Sequence, residues 1–273
     1  MKIQDKLLEL KRSRKAILAT NFYNLETLKG ILQAAREVHL PLILQLSKSS
    51  IDYIGLEMAV TMARRGLEEY QVEGWLHLDH GDSIELVKRC LIAGFDSVMI
   101  DASESNFEKN VMITSQVVDL ANKYGANVEA ELGYVAKLGQ MQEGKTFTSP
   151  EEASKFVEQT GINALAIAIG SAHGFYNEKP DLRIDILTQI QEATPAVLVL
   201  HGGSGIPSEM IKDAVTHGIS KVNLATEIKD AFMKTLKSHL ITTDEIDLRK
   251  VFPVAIQSVI DLVRNKLLML DED

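Results

Sequence analysis

Cysteine is almost absent from this sequence, in which Cys90 stands alone among 273 residues. A single cysteine cannot form an internal disulfide, so a disulfide-stabilised scaffold is excluded and a reducing compartment is expected. Cys90 falls in the predicted helical run Ser83–Ala93, and we expect it to be a buried packing residue and not a nucleophile.

Excess positive charge and long apolar runs are absent as well. The chain has 29 Lys and Arg against 38 Asp and Glu, and the resulting net charge of −9 argues against a nucleic-acid partner. No apolar stretch reaches the roughly 18 residues of a membrane span. The segment MKIQDKLLELKRSRKAIL lacks the apolar core of a signal peptide. We therefore expect a cytoplasmic protein with no membrane partner.

Linker sequence is also lacking, because no Pro-, Gly- or Ser-rich stretch divides the chain, and this predicts one domain over residues 1–273. Short apolar runs instead alternate with longer amphipathic ones. Several short runs are continuously apolar, which fits parallel strands buried on both faces. The predicted strands are Ala16–Asn21, Pro41–Ser47, Gly74–Asp79, Ser97–Asp101, Asn127–Glu131, Ala164–Ile169, Ala196–His201 and Lys221–Leu224. The predicted helices are Leu25–Val38, Ile51–Glu68, Ile84–Ala93, Phe107–Tyr124, Pro150–Gln159, Asp185–Glu192, Pro207–Thr216, Glu227–His239 and Asp244–Leu270.

Eight strand-then-helix units predict an α/β fold, a closed (β/α)8 TIM barrel with extended C-terminal helices. The alternative is an open, doubly wound sheet. No GxGxxG motif follows any predicted strand, so the barrel is favoured.

Polar residues stand at the carboxyl end of every predicted strand. In a barrel these ends open onto one face, where enzymes of this architecture place their sites. We therefore expect one functional cluster at that face. The residues concerned are Asn21, Ser47, Asp79, His80, Asp101, Glu131, Ser171–His173, His201 and Asn223.

Three histidines in this set have the composition of a metal site. His80, His173 and His201 follow the third, sixth and seventh strands. Three imidazoles converging on one face suit a catalytic Zn²⁺ with an open position, and they would also suit Co²⁺, Ni²⁺ or Fe²⁺. The alternative is that they are separate, hydrogen-bonded loop histidines.

Two loops indicate phosphate binding. Gly202, Gly203, Ser204 and Gly205 follow the seventh strand and lead into a helix, and NLATE follows the eighth, with Thr226 placed as an N-cap or hydroxyl donor. Consecutive glycines and a helix N-terminus attract anions, and phosphate sites after strands seven and eight recur in barrels. A plain glycine turn is the alternative reading of GGSG.

A metal beside a phosphate site favours chemistry on a phosphorylated ketone. Ser47, Ser171 and Ser204 lie near candidate bases, but no GxSxG motif supports a serine nucleophile. Three functions therefore stay open: a lyase, a metallohydrolase that uses zinc-bound hydroxide, and a non-catalytic or altered-substrate homologue. A lyase is favoured, because it would use both the phosphate-binding loops and Asp79, the latter as a carboxylate that moves protons.

Six segments carry a resemblance that extends from ATNFYNLE to the helix after NLATE. The chain resembles the class II fructose- and tagatose-bisphosphate aldolases, a family of zinc-dependent lyases. The segments, in order, are HLDHG (77–81), SVMIDAS (97–103), VEAELG (128–133), AIGSAHGFY (168–176), HGGSGIP (201–207) and VNLATE (222–227).

The resemblance implies reversible cleavage of a ketose 1-phosphate or 1,6-bisphosphate into dihydroxyacetone phosphate and an aldehyde. His80, His173 and His201 match the family's zinc ligands, and Asp79 matches its proton-transferring acid/base. Carboxylates for a second or displaced metal position match Asp101 and Glu131.

The same resemblance implies where the substrate binds. Dihydroxyacetone phosphate contacts match Gly174, Gly202, Ser204, Asn223, Ala225 and Thr226, and other pocket positions match Asn21 and Ser47. A monovalent cation near the glycine loops and a homo-oligomer, dimer or tetramer, are further family-level expectations.

One segment departs from the family pattern. After VEAELG the family carries a GGxED-like loop whose glutamate acts on the C1 proton, whereas this chain reads YVAKLGQMQEGKTFTSPEEA. Glu143 is the nearest replacement, and a merely solvated glutamate is the alternative. We expect residues 134–149 to form a loop that closes over the metal when substrate binds.

Overall fold

The structure, a computed structural model, describes residues 1–133, 135–137, 147–176 and 180–272. The strands are β1 Ile17–Asn21, β2 Leu42–Ser47, β3 Gly74–Gly81, β4 Ser97–Ile100, β5 Asn127–Leu132, β6 Ala136–Lys137, β7 Ala164–Ile167, β8 Ala172–His173, β9 Val197–Leu200 and β10 Ile219–Leu224. The helices are α1 Ile3–Ser13, α2 Leu25–Val38, α3 Lys48–Ile54, α4 Leu56–Tyr70, α5 Ile84–Ile92, α6 Phe107–Asn122, α7 Pro150–Thr160, α8 Ile184–Ala193, α9 Ser208–Thr216, α10 Thr226–Leu240 and α11 Leu248–Asp271.

Eight of the strands form one closed barrel in the order β1, β10, β9, β7, β5, β4, β3, β2, and every pair of neighbours is parallel. The predicted TIM barrel is thereby confirmed. The apolar runs that predicted these strands are buried because the barrel interior covers one face and the helices cover the other.

Two local predictions were wrong. The predicted helix Ile51–Glu68 is two helices, α3 and α4, because Gly55 between them has φ +89, a left-handed conformation that interrupts a helix. The predicted sixth strand, Ala164–Ile169, ends at Ile167, and His173 lies in the separate two-residue strand β8. Strand β8 pairs in parallel with β6, outside the barrel.

Helix α1 closes the amino-terminal end of the barrel. Its buried residues Ile3, Leu7 and Leu10 lie three or four positions apart, so they share one face of the helix. They pack against side chains from inside the barrel, among them Trp75 and Met99. Burial of such side chains stabilises the fold by roughly 1.5–3 kcal/mol each.

Side chains inside the barrel change from apolar to polar along the strands. Because alternate residues of a strand share a face, the residues two and four positions after an apolar inward residue also point inward. In β3 the series is Trp75, His77 and Asp79, and all three side chains are buried. Polar groups therefore collect at the carboxyl end. The inward series of the other strands include Ile17–Ala19–Asn21, Ile43–Gln45–Ser47, Asn127–Glu129–Glu131, Val197–Val199–His201 and Lys221–Asn223.

The outer helices bury the other faces of the strands, and Cys90 lies fully buried in α5 as predicted. The predicted C-terminal helix is α11, which begins at Leu248, where Asp247 accepts a hydrogen bond from the Arg249 N–H as its N-cap. Within the described residues no helix is long and apolar enough to cross a membrane.

Candidate active site

A cleft opens at the carboxyl face of the barrel, and the residues that line it all belong to the predicted site. Side chains from β1, β3 and β10 meet residues of the loops after β7 and β9. The lining residues are Asn21, Asp79, His80, His173, Gly174, His201, Gly202, Ser204, Asn223, Ala225 and Thr226. The structure thus brings together most of the residues that the sequence singled out.

The end of β3 places two consecutive residues in this cleft. Neighbouring strand residues normally point to opposite faces, so Asp79 and His80 could not both face it in a regular strand. The register of β3 with β4 shifts between Leu78 and Gly81, and His80 has φ +49. This left-handed residue turns the chain within the bulge and brings both side chains to the same site.

His80 is held by a carboxylate on one side and faces His201 on the other. Its Nδ1 lies 2.7 Å from Asp101 Oδ2, and its Nε2 lies 3.0 Å from His201 Nδ1. Burial lowers the pKa of His80, but the neighbouring Asp79 and Asp101 carboxylates together raise this pKa to about 9. Because a carboxylate only accepts, His80 Nδ1–H donates to Asp101, and Nε2 faces the cleft.

His173 completes the group from the loop after β7. Strand β8 holds its backbone in register with Lys137 of β6. Its ring centroid is 4.9 Å from that of His80 and 5.8 Å from that of His201. Burial and the neighbouring His80 and His201 imidazoles lower the pKa of His173 to about 3, so it is neutral and can offer a lone pair.

Glu131 adds a carboxylate to the three histidines. Ligand atoms of His80, Glu131, His173 and His201 all lie within 4.8 Å of one another. Glu131 Oε1 accepts from the Val135 N–H at 3.2 Å, while its buried Oε2 has no hydrogen-bond partner among the described residues. Burial and the nearby Asp101 carboxylate raise the pKa of Glu131, which a positive ion at this place would oppose.

These four residues fit a divalent metal ion. Two ring nitrogens that face each other at 3.0 Å need a proton or a metal ion between their lone pairs, and the unpartnered Glu131 Oε2 also lacks a positive partner. Imidazole and carboxylate are the ligand set of catalytic zinc sites. Asp101 differs from Glu131 in having no unpartnered oxygen, because its Oδ2 accepts a hydrogen bond from His80 and its Oδ1 accepts hydrogen bonds from Ser103.

Asp79 is an anion with one free oxygen. Its Oδ2 accepts from Asn21 Nδ2 at 2.9 Å, and its buried Oδ1 has no hydrogen-bond partner in the part of the chain that the structure describes. Burial would raise the pKa of Asp79, but the neighbouring His80 and His201 imidazoles and the Asn21 hydrogen bond hold this pKa below its ordinary value. Asp79 is therefore placed to accept a proton from a group in the cleft.

The glycine loop and helix α10 line the other side of the cleft. Gly202 has φ +68, and a Cβ there would meet the Ala172 carbonyl oxygen at 2.3 Å, so a larger residue would not fit. Ser204 Oγ accepts from the Glu227 N–H at 3.3 Å, which leaves its O–H to donate elsewhere. The N-cap residue of the 15-residue helix α10 is Ala225, whose side chain cannot accept a hydrogen bond, so Ser204 is the side chain that meets the first turn of this helix. This arrangement suits an anion.

Three predicted residues lie beside the cleft or outside the described part of the chain. Ser47 is aligned with Asp79 in the β2–β3 register, but its hydroxyl caps α3 by accepting from the Ser50 N–H. Gly203 lies behind the cleft, where its N–H donates to the Asn223 carbonyl oxygen at 3.0 Å. Glu143 lies outside the described residues.

Sequence reasoning missed residues that act on the site from below or from the side. Glu129 and Lys221 are buried under His201. Tyr176 links two loops, because its hydroxyl accepts from the Ala172 N–H and donates to the Gly202 carbonyl oxygen. Two-residue periodicity would have found the first two, since Glu129 precedes Glu131 and Lys221 precedes Asn223 by two positions.

Comparisons with known proteins find similar sequences and a similar fold among the aldolases. The family model described as fructose-bisphosphate aldolase class-II matches residues 1–273. A fructose-bisphosphate aldolase of Geobacillus stearothermophilus is 42% identical over 257 residues, which are 91% of this chain and 89% of that relative. A probable fructose-bisphosphate aldolase of Bacillus subtilis is 41% identical over 255 residues, 90% of this chain and 89% of that relative. The crystal structure of the YdjI aldolase from Escherichia coli K12 is similar with a TM-score of 0.89 and 32% identity, covering 99% of this chain and 97% of that one.

Proposed function

The chain belongs to the fructose-bisphosphate aldolase class II family and is a carbon–carbon lyase, and we propose on this basis that its substrate is a phosphorylated ketose. The proposed reaction is the reversible cleavage of a ketose 1-phosphate or 1,6-bisphosphate of the fructose or tagatose type. Its products are dihydroxyacetone phosphate and an aldehyde. The two bacterial relatives are a fructose-bisphosphate aldolase and a probable one, which supports a fructose bisphosphate as the first substrate to try.

The observation that carries this proposal is the position of Asp79 beside the metal-binding group. Asp79 Oδ1 is free and lies 4.0 Å from His80 Nε2, one of the nitrogens that face the cleft. A divalent ion held by His80, His173 and His201, with zinc as the proposed ion, would stabilise negative charge that develops on the carbonyl oxygen of the substrate.

Asp79 supplies the proton transfer in this proposal. Breaking the bond between the carbons α and β to the ketone requires that the β-hydroxyl lose its proton, so that it can become the aldehyde carbonyl. Asp79 Oδ1 accepts this proton, and Asn21 orients the carboxylate through Oδ2. In the direction of condensation Asp79 returns the proton to the new hydroxyl.

The phosphate of the substrate is proposed to bind where the glycine loop meets helix α10. Ser204 and Thr226 would donate hydroxyl hydrogen bonds, and Gly202 and Gly174, which line the cleft, allow close approach of the backbone. The N-terminus of α10 adds positive potential. Asn223 and Ala225 line the same wall of the cleft.

A coupled assay tests the proposal by measuring triose phosphate release. Purified protein, supplied with zinc, is offered the 1-phosphates and 1,6-bisphosphates of fructose and tagatose. We expect release of dihydroxyacetone phosphate from at least one of them and its loss on chelation. If none of these sugars yields a triose phosphate while zinc binds, the substrate class is wrong.

A further inference from the structure

A buried ion pair lies inside the barrel, beneath the proposed metal ligands. Lys221 Nζ is 2.7 Å from Glu129 Oε2, and both side chains are 1% exposed. Removing two charges from water is costly, and apolar residues of similar size often stabilise such a place as well or better. An apolar pair could therefore stabilise the fold about as well as this ion pair does. The contact that Glu129 makes with His201 is a better indication of what the pair does.

That second contact is with a proposed metal ligand. Glu129 Oε1 lies 2.9 Å from His201 Nε2, while the opposite ring nitrogen of His201 faces His80 in the cleft. A carboxylate can only accept, so the proton of the neutral His201 ring is on Nε2 and the lone pair is on Nδ1. Asn223 Nδ2 is also 3.1 Å from Nε2, but an uncharged amide is the weaker partner for that nitrogen.

We propose that Glu129 is a positioning residue that fixes the tautomer and orientation of His201, and that Lys221 keeps Glu129 in place as its carboxylate partner. A histidine whose other nitrogen donates to a carboxylate is a better-oriented and more basic metal ligand. The ion pair thus acts on the metal site without touching it. This inference rests on the metal-binding role proposed above for His201.

Lys221 supplies the positive charge that keeps the buried Glu129 carboxylate ionised and in place. Each oxygen of Glu129 has its own partner: Oε2 accepts a hydrogen bond from Lys221, and Oε1 accepts one from His201. With Lys221 removed alone, the buried carboxylate would lose its counter-charge and would rotate or take up a proton. The variants are therefore designed as pairs that keep the interior neutral.

Zinc affinity of the full-length chain, measured by competition with a chelator, tests the proposal. In Glu129→Leu with Lys221→Met the acceptor is gone and the interior is apolar, so we expect zinc affinity to fall roughly 10–100-fold. Glu129→Gln with Lys221→Met keeps a neutral acceptor oxygen and is expected to recover most of the loss. The matched control is His77→Gln, which disturbs the same cluster on the side away from His201, because His77 Nε2 lies 3.5 Å from Lys221 Nζ and 3.9 Å from Glu129 Oε2. Its zinc affinity is expected to stay within about twofold of wild type.

A second measurement requires no variant at the ion pair. Long-range ¹H–¹⁵N spectra of the zinc-free, full-length wild-type chain report which ring nitrogen of His201 carries the proton, with the signal assigned by its absence in His201→Gln. We expect the Nε2–H form. A predominant Nδ1–H form, or unchanged zinc affinity in the folded Glu129→Leu, Lys221→Met protein, would overturn the proposal. Absence of zinc binding by wild type would instead refute the proposed metal site itself.

Discussion

Nε2 of His80 and Nδ1 of His201 face each other across 3.0 Å, and the other nitrogen of each ring is hydrogen-bonded to a carboxylate. Asp101 accepts from His80, and Glu129 accepts from His201. Two rings oriented in this way need a proton or a metal ion between their facing nitrogens. The carboxylates therefore arrange the two rings for a positive ion.

Zinc should stabilise the fold as well as enable catalysis. Zinc at roughly 100 times its Kd should add about 2.7 kcal/mol to the free energy of unfolding, because it binds only the folded arrangement. For a chain of this length that raises Tm by about 5 °C. Calorimetry with and without zinc measures the shift.

The matched variants for that experiment are two histidine substitutions. His173→Gln removes a proposed ligand and should abolish most of the zinc-dependent shift. His39→Gln changes the C-cap of α2, far from the cleft, and should leave the shift intact. Equal shifts in both variants would contradict the assignment of His173.

Replacement of Asp79 by asparagine should lower kcat and spare zinc binding. Asp79→Asn keeps the shape and the neighbourhood of Asn21 but removes the proton acceptor, so we expect a loss of roughly 10²–10⁴-fold in turnover. Steady-state kinetics and metal content are measured together. The control is Asp82→Asn, an exposed carboxylate three residues later. Near-normal turnover in Asp79→Asn would mean that another group moves the proton.

Ser204 and Thr226 should contribute to phosphate binding. Each hydrogen bond to a charged group is worth roughly 1.5–3 kcal/mol, so Ser204→Ala and Thr226→Val should each weaken substrate binding by about 10- to 100-fold. Inhibition by inorganic phosphate should weaken in parallel. Ser208→Ala removes an exposed hydroxyl at the start of α9 and serves as the control. Unchanged inhibition by phosphate in the two site variants would place the phosphate elsewhere.

Glu143 is predicted, from the sequence alone, to act on the C1 proton of the ketone phosphate. Glu143→Gln should slow the exchange of that proton with solvent and leave zinc affinity and phosphate inhibition at their wild-type values, because those depend on other residues. Exchange followed by NMR in deuterated solvent measures this. Glu151→Gln, an exposed glutamate in the first turn of α7, is the control. An exchange rate equal to that of wild type would show that Glu143 has no part in this step.

Cys90 should be inert in the folded protein. Burial raises the pKa of its thiol to about 12, so the nucleophilic thiolate appears only as the pH approaches that value, and below it the thiol stays protonated. A thiol reagent at pH 8 should therefore react only after denaturant is added. Rapid reaction of the native protein at pH 8 would contradict this burial.

The candidate site could largely be predicted because a parallel barrel converts sequence order into spatial order. Once eight parallel strands are recognised, their carboxyl ends must share one face, and residues as distant as Asn21 and Asn223 must meet there. Apolar strand patterns and polar strand ends suffice for this step. The helix break at Gly55 was missed because a single glycine within an amphipathic pattern does not by itself end a helix.

Only the tertiary structure decided how the individual groups are oriented. The left-handed conformation of His80, which brings it beside Asp79 in the cleft, depends on a register shift between β3 and β4 that no local pattern encodes. The partners of Asp101 and Glu129 depend likewise on which strands become neighbours. The sequence by itself determined which residues share the carboxyl face, because side-chain periodicity is local. Their hydrogen bonds and pKa shifts depend on distances of a few ångströms between separate strands, which only barrel closure sets.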